Sequence, residues 1–224
     1  MRLLIALAIA GTSCSSVVDS AELPKPAAYN WTGFYVGADI GYAVGGANND
    51  WRSPGAGYPD WEPDGDISFK SASGAVHIGY LKQFGNLALG IEADISRVHL
   101  NGDDSQFAGL INTIDIDYVG TVRGRVGIVQ DSSLFYVTGG FAFSDYTKSD
   151  RSNGWSSSEN LQGWTIGSGY ETAFASGLRA RIEYQYVNLG SINSFLTDGA
   201  EVYYYHRAQD LDIHNIRAGL SYGF

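Results

Sequence analysis

Eight segments of this sequence alternate between apolar and polar residues, a period-2 pattern that is typical of β-strands with one apolar face. They span residues 32–44, 71–82, 86–98, 115–129, 133–145, 162–174, 178–189 and 211–224. The connections alternate in length: tight turns are predicted at Phe84-Gly85, Gln130-Asp131-Ser132 and Ala175-Ser176-Gly177, and long connections at 45–70, 99–114, 146–161 and 190–210. This organisation predicts an all-β fold, an up-and-down meander of eight antiparallel strands.

The strand assignment can be tested across the tight turns, because residues that pair across a hairpin must face the same side of the sheet. The turn positions predict six cross-strand pairs: Tyr80–Leu89, His77–Glu92, Arg125–Thr138, Val126–Val137, Tyr170–Ala180 and Glu171–Arg179. Apolar residues meet apolar residues in these pairs, and polar residues meet polar ones. The three hairpins therefore agree on which residues share a face.

The polar face of the segments is rich in glycine. Its glycines are Gly37, Gly41, Gly79, Gly90, Gly127, Gly140, Gly167 and Gly219. A surface that faces water has no need of such small residues, whereas eight strands enclose a lumen only just wide enough for side chains. We therefore expect the polar, glycine-rich face to point into a closed barrel.

The apolar face is aliphatic in the middle of the segments and aromatic at their ends. One end carries Phe34, Phe135, Tyr170 and Tyr222, and the other carries Tyr42, Tyr118, Trp164 and Tyr186. Two such aromatic belts are typical of a transmembrane β-barrel of the bacterial outer membrane, which has short periplasmic turns, long outer loops and both termini in the periplasm. A soluble ligand-binding barrel, with its apolar face inward, is the alternative.

The N-terminus has the pattern of a secretory signal: Arg2 precedes an apolar run at 3–10, and Val18-Asp19-Ser20 fits a cleavage site. We expect a signal peptide at 1–20, a periplasmic N-terminal segment at 21–31 and the barrel at 32–224. A lipoprotein acylated at Cys14 is the alternative, although the residues before Cys14 lack the usual lipobox leucine.

Charge and cysteine content exclude several functions. The formal net charge is −10, and loss of Arg2 and Asp19 with the signal leaves it unchanged. An acidic chain is a poor partner for nucleic acid, because phosphate binding needs clustered Lys and Arg. The expected mature chain has no cysteine, so it has neither disulfides nor thiolate chemistry.

Charged residues on the inward face are nearly balanced in sign. We assign them by parity, that is, by whether a residue holds an odd or an even position along its strand. The acids are Asp39, Glu92, Asp94, Glu171 and Glu183, and the bases are Arg123, Arg125, Arg179, Arg181 and Arg217. Buried ions cost several kcal/mol each unless they are paired. We therefore predict a salt-bridge network that plugs the lumen, with Glu171–Arg179 as the pair best defined by a turn. An ion pathway lined by the same residues is the alternative.

Few residues point to catalysis or to a cofactor. The histidines His77, His99, His206 and His214 lie on different segments without the spacing of metal ligands, and His77 is expected to hydrogen-bond Glu92. Gly219 to Gly223 matches G-x-S-x-G, but that motif needs a strand-to-helix turn and here it lies inside a strand. We predict no enzyme activity, no metal and no cofactor; an envelope enzyme is the alternative.

Both ends of the expected mature chain resemble a known family. Ile216, Ala218, Leu220, Tyr222 and Phe224 alternate up to a terminal aromatic, which resembles the last strand that the outer-membrane assembly machinery reads. The runs Ala21-Glu22-Leu23-Pro24 and Asn30-Trp31-Thr32-Gly33-Phe34-Tyr35-Val36-Gly37 are similar to the opening of the small outer-membrane β-barrels of Gram-negative bacteria known as outer membrane immunogenic protein or porin family protein. That resemblance implies roles in envelope integrity and as surface antigens, and in some members pore formation or haem binding, for which His206 is the candidate ligand in this sequence.

The long connections carry aromatic residues that are candidates for outside contacts: Trp51, Tyr58, Trp61, Tyr203, Tyr204 and Tyr205. They are suited to contact glycans or host surfaces, or else to pack on each other and on the lipopolysaccharide layer. The sequence thus predicts a non-enzymatic outer-membrane protein that supports the envelope and displays its loops. A narrow porin-like channel for small solutes or ions is the alternative. The expected partners are membrane lipid, lipopolysaccharide and the assembly machinery.

Overall fold

The computed structural model describes residues 29–104, 112–150, 155–174, 177–197 and 203–224. Within these ranges the chain forms nine antiparallel strands: β1 (Gly33–Ser53), β2 (Tyr58–Phe84), β3 (Leu87–Asp104), β4 (Asn112–Gln130), β5 (Ser133–Asp150), β6 (Trp155–Ala173), β7 (Leu178–Asn188), β8 (Ile192–Thr197) and β9 (Tyr203–Gly223). A single 3-10 turn, Pro54–Ala56, joins β1 to β2. No helix in these ranges is long and apolar enough to cross a membrane.

Eight of the strands form a closed barrel, which confirms the predicted fold. Each of the strands from β1 to β6 pairs with the next one along the chain, β7 pairs with β9, and β9 also pairs with β1 to close the ring. The short strand β8 continues the place of β7 beside the first part of β9, from Ile192 opposite Ala208 to Thr197 opposite Tyr203. The closed ladder leaves the barrel wall with no free sheet edge.

The predicted long connections are largely strand, so their assignment as loops was wrong. In β1 and β2 the ladder continues from Gly45 opposite Phe69 to Ser53 opposite Tyr58. Similar extensions are present in the hairpins of β3 with β4 and of β5 with β6. Backbone hydrogen bonds hold these extensions without an alternating apolar face, so the period-2 pattern that revealed the rest of each strand is missing. We call this side the hairpin end of the barrel, and the opposite side the turn end.

The register of the β4–β5 hairpin is the predicted one, with Arg125 opposite Thr138 and Val126 opposite Val137. In the β2–β3 hairpin the register is shifted by two residues from the prediction, since Tyr80 lies opposite Ile91 and His77 opposite Asp94. The reason is that the turn is Gly85-Asn86 rather than Phe84-Gly85, and Gly85 takes a positive φ of 62°. A shift of two residues leaves every side chain on its predicted face.

The β6–β7 hairpin shows the same error. The last pair before its turn is Ala173 with Arg179, so Glu171 lies opposite Arg181 instead of the predicted Arg179. The backbone N–H of Phe174 donates to the carbonyl of Leu178, as expected for strands that meet at the predicted turn, so the error lies in the predicted pairs and not in the place of the turn. Two of the three predicted registers were therefore wrong, while all three predicted face assignments are confirmed.

The side chains point as the alternation predicted. Aliphatic and aromatic residues on the outer wall are exposed, with Ile40 77% and Phe141 78% exposed, whereas Arg123 on the inner wall is 1% exposed. Aromatic rings pair on the outer wall near both ends. Their centroid distances are 4.9 Å for Phe34–Tyr80, 5.0 Å for Phe135–Tyr170 and 5.3 Å for Trp164–Tyr186.

Candidate functional site

The barrel interior is made wide enough for charged side chains by the inward glycines. A Cβ atom on Gly37 would lie 2.5 Å from Nε2 of His77, and one on Gly219 would collide with the carboxylate of Asp39. A Cβ on Gly79 would likewise collide with the Tyr35 ring. The glycines on the inner wall therefore provide the volume that the long polar side chains fill.

The structure brings together eleven inward residues: the ten charged residues that parity selected, and His77. Each has at most 6% of its surface exposed. Ten of them form a connected set that we call the ion-pair belt: Asp39, His77, Glu92, Asp94, Arg123, Arg125, Glu171, Arg181, Glu183 and Arg217. The eleventh, Arg179, lies at the turn end of the lumen, where its contacts are mainly with aromatic rings.

Arg123 bridges three carboxylates of the belt. Its guanidinium lies 2.5 Å from Glu92, 2.7 Å from Glu183 and 3.0 Å from Asp94. Arg217 approaches two of the same carboxylates, at 2.6 Å from Glu183 and 3.2 Å from Asp94. Because each charge contacts several opposite charges, the desolvation cost of burying it is offset within the network.

Arg181 joins the belt to β1. Its Nε and Nη2 atoms donate to the two oxygens of Asp39 at 2.8 and 2.7 Å, and its Nη1 donates to Glu92 at 2.8 Å. Nδ1 of His77 lies 2.9 Å from Asp39. The predicted hydrogen bond between His77 and Glu92 was wrong, because Glu92 is occupied by three arginines and by the Tyr35 hydroxyl.

The Glu171–Arg179 pair is much looser than predicted. The closest nitrogen and oxygen of this pair are 3.9 Å apart, whereas Arg125 makes a short hydrogen bond to Glu171. The physical reason is the two-residue shift in the β6–β7 register, which moves Arg179 away from the position opposite Glu171. Ser221 also donates to Glu171, at 3.2 Å.

Two inward tyrosines contribute to the belt and were missed in the sequence. The Tyr35 hydroxyl donates to Glu92 at 2.8 Å, and the Tyr136 hydroxyl donates to Glu183 at 2.7 Å. The guanidinium of Arg125 lies 3.6 Å from the centre of the Tyr136 ring, a cation–π contact. Parity alone would have found both residues, since each lies between two outward residues of its strand.

Apolar side chains close the lumen on both sides of the belt. At the turn end the floor cluster comprises Trp31, Tyr35, Leu81, Ala88, Val129, Leu134, Tyr136 and Ala173. Toward the hairpin end the roof cluster comprises Ala43, Ala47, Phe69, Val98, Val119, Ala142, Leu161, Val187, Leu189, Leu211 and Ile213. The charged layer thus lies between two apolar layers, an order that the polar-face pattern of the sequence did not predict.

The remaining candidates that the structure describes are not members of the ion-pair belt. Tyr58 is 48% exposed on β2, and the guanidinium of Arg52 lies 4.8 Å from the centre of the Trp61 ring. The side chains of Trp51, Tyr203, Tyr204, Tyr205 and His206 lie outside the described part of the structure. On the last strand Tyr222 and Phe224 face outward, 51% and 70% exposed, and Phe224 donates its backbone N–H to the carbonyl of Phe34.

The arrangement offers little for catalysis. Ser221 of the G-x-S-x-G run lies on β9, is 3% exposed and donates to Glu171 rather than to a histidine. Among the described residues no group of three His, Cys, Asp or Glu side chains could hold a metal ion. What the site provides chemically is a neutralised, tightly bonded filling of the barrel.

A closed eight-stranded barrel with an apolar outer wall, paired aromatic rings at its boundaries and a charged interior defines the class of outer-membrane β-barrel proteins. The family model of the outer membrane protein β-barrel domain matches residues 6–224. The chain therefore belongs to this family.

Relatives and solved structures agree with this assignment. The 22 kDa outer membrane protein of Rhizobium leguminosarum bv. viciae is 31% identical over 179 residues, which cover 80% of this chain and 74% of that protein. The 31 kDa outer-membrane immunogenic protein of Brucella melitensis biotype 1 is 29% identical over 213 residues, covering 88% and 85%. The crystal structure of OprG from Pseudomonas aeruginosa has the same fold, with a TM-score of 0.61 at 12% identity, over 89% of this chain and 98% of that one.

Proposed function

We propose that this protein is a non-enzymatic, closed outer-membrane barrel that supports the envelope and displays its long hairpins outside the cell. The observation that carries the proposal is the filled lumen: five arginines and five carboxylates lie inside it, at most 6% exposed, between an apolar floor and an apolar roof. A permanent water-filled pore requires a wider ring of strands or movement of these side chains. The Brucella relative is named an outer-membrane immunogenic protein, which supports a role at the surface.

Both termini are proposed to lie in the periplasm and the hairpin end outside the cell. The support is the asymmetry of the connections, since outer-membrane barrels have short turns on the periplasmic side and long connections outside. The outward apolar band contacts lipid, the extended hairpins reach the lipopolysaccharide layer, and Tyr222 and Phe224 serve the assembly machinery. Tyr58 and Trp61 on the outer hairpin are candidates for contact with glycans or host surfaces.

Conductance measurements test the closed lumen. Purified protein refolded in detergent and added to planar lipid bilayers is expected to give no stable conductance steps, since the belt and both apolar layers block ions. Stable and reproducible steps in the wild-type protein would instead establish the narrow channel. Electrophoretic mobility that depends on heating in detergent serves as the control for correct folding.

Cysteine labelling of intact cells tests the orientation. Gly55 lies in the 3-10 turn of the first long hairpin, with nothing close to its Cβ position, and Asn86 lies exposed in a tight turn at the other end. A membrane-impermeant maleimide is expected to label Gly55→Cys in intact cells, and Asn86→Cys only after the outer membrane is permeabilised. The reverse result would contradict the proposed orientation.

A further inference from the structure

Arg179 is the one lumen arginine, in the described part of the barrel, without a carboxylate within hydrogen-bonding distance. Its closest carboxylate oxygen is 3.9 Å away on Glu171, which already accepts hydrogen bonds from Arg125 and Ser221. Among the residues that the structure describes, the Nη1 atom of Arg179 has no hydrogen-bond partner, although Arg179 is only 1% exposed. A buried guanidinium N–H without an acceptor is a costly arrangement.

Aromatic rings surround this guanidinium. Its carbon lies 5.3 Å from the centre of the Tyr29 ring, 4.9 Å from Trp31 and 5.3 Å from Tyr35. Its Nε donates to the Tyr29 hydroxyl at 3.1 Å. The rings stabilise the positive charge through cation–π contacts but accept no hydrogen bond from Nη1.

Trp31 presents a second buried donor at the same place. Its side chain is completely buried, and its indole Nε1 also has no hydrogen-bond partner. Arg123 and Arg125 each have one unpartnered Nε too, but their other nitrogens contact carboxylates. We call the end of the lumen around Arg179 and Trp31 the turn-end mouth. It differs from the belt because a guanidinium and an indole, 4.9 Å apart from carbon to ring centre, each carry an unpartnered donor there, and only the guanidinium is charged.

The segment that covers this place precedes the first strand. Trp31 is held by its backbone N–H, which donates to the side chain of Gln83 at 2.9 Å, and Thr32 accepts from the backbone N–H of Gln83 at 3.1 Å. Tyr29 and Trp31 therefore lie outside the strand ladder that begins at Gly33. Their withdrawal from the mouth breaks the Trp31–Gln83 hydrogen bond but no pair of the strand ladder.

From this geometry we propose that the turn-end mouth is a binding site for a small oxyanion, a carboxylate or a phosphate. One oxygen of the anion accepts from Arg179 Nη1 and from Trp31 Nε1, and the segment at 29–31 moves to admit it. Arg179 supplies the charge, and the indole supplies a neutral donor that also shields the ion pair from water. The inference deepens the proposed function by giving this mouth a ligand, and its placement in the periplasm rests on the proposed orientation.

Nuclear magnetic resonance of the indole N–H groups tests the site in the refolded full-length mature protein. The chain contains five tryptophans, and the Trp31→Phe variant identifies the signal of Trp31. Sodium phosphate and sodium acetate are titrated separately, each against sodium chloride at the same ionic strength. A saturable shift of the Trp31 signal is expected with one or both oxyanions and not with chloride, and the two titrations show which chemistry the site prefers.

Variants decide whether the shift reports this site. Arg179→Gln is expected to weaken the apparent affinity at least about tenfold, since a charge-assisted hydrogen bond is lost. The matched control is Arg97→Gln, which removes an exposed arginine of the outer wall and should leave the titration unchanged. Absence of a shift in the wild-type protein, or an unchanged titration in Arg179→Gln, would overturn the proposal.

If Arg179→Gln fails to fold, Trp31→Phe keeps the aromatic cage and removes only the indole donor. Binding of the same anions is then followed by the backbone signals of Gly177 and Gly223, which adjoin Arg179 in the sequence or in space. Weaker binding in Trp31→Phe supports the site, and unchanged binding overturns it. Bilayer conductance is measured independently, so failure of the anion site and failure of the closed barrel give different results.

Discussion

Arg179 and Arg181 lie two residues apart on β7 and point into the same lumen, but their surroundings differ completely. Arg181, in the ion-pair belt, donates three hydrogen bonds to Asp39 and Glu92. Arg179, at the turn-end mouth, lies among three aromatic rings with its nearest carboxylate oxygen 3.9 Å away. Equal numbers of inward cations and anions therefore do not give equal pairing, because the position of each side chain along the barrel axis decides which partners it can reach.

The largest expected effect comes from removing an anion of the belt. Glu92→Ala takes a shared acceptor from Arg123, Arg125 and Arg181, and leaves buried positive charge uncompensated. The free energy of unfolding, measured by urea titration in detergent micelles, is expected to fall by about 3–5 kcal/mol.

The control for this change is Glu62→Gln on the exposed part of the first hairpin, with an expected change within about 0.5 kcal/mol. Equal effects at the two positions would show that the belt does not stabilise the barrel.

Conservative replacement of the two neighbouring arginines tests the comparison directly. Lysine cannot reproduce the planar fork that Arg181 offers to Asp39 and Glu92, but it retains the positive charge that the rings around Arg179 stabilise. Arg181→Lys is expected to lower the unfolding free energy by about 2–3 kcal/mol, and Arg179→Lys by less than about 1 kcal/mol. The same urea titration measures both, and a larger loss for Arg179→Lys would contradict the assigned difference.

A smaller effect is expected where the belt depends on an inward glycine. In Gly37→Ala the new Cβ would lie 2.5 Å from the His77 ring and would also meet the backbone carbonyl of Leu220, which cannot move freely. The expected loss of unfolding free energy is about 1–2 kcal/mol. Gly74→Ala, on the outer wall with nothing near its Cβ, is the matched control and should be nearly neutral; a comparable loss there would mean that lumen volume is not what Gly37 provides.

An equally small effect is expected for a ring that contacts both regions. Tyr35 lies beside Arg179; its hydroxyl donates to Glu92 and accepts from Arg125, so Tyr35→Phe removes two hydrogen bonds to the belt while keeping the ring at the mouth. We expect a loss of about 1–2 kcal/mol in the urea titration and an unchanged oxyanion titration. Loss of anion binding in this variant would show that the mouth depends on the belt.

Much of the fold could be predicted because side-chain parity is a local property. Every strand of the barrel wall was found from alternation, and residues such as Arg123 and Ile40 point as parity requires. The extent of the hairpins was missed, since the ladder beyond Gly45 continues without an apolar face. Two registers were also missed, because an error of one residue in the centre from which the pairs are counted shifts the pairing by two and leaves parity intact.

Alternation along the chain is enough to predict the class of fold, eight strands of the barrel wall and the set of inward charges, because successive residues of a strand point to opposite faces. Which of these charges meet depends on the closed barrel. Arg181 binds Asp39 across 142 residues of sequence, and this contact exists only because β9 closes the ring between β7 and β1. The separation of a paired belt from the aromatic mouth around Arg179 follows from strand stagger and closure, which no local pattern encodes.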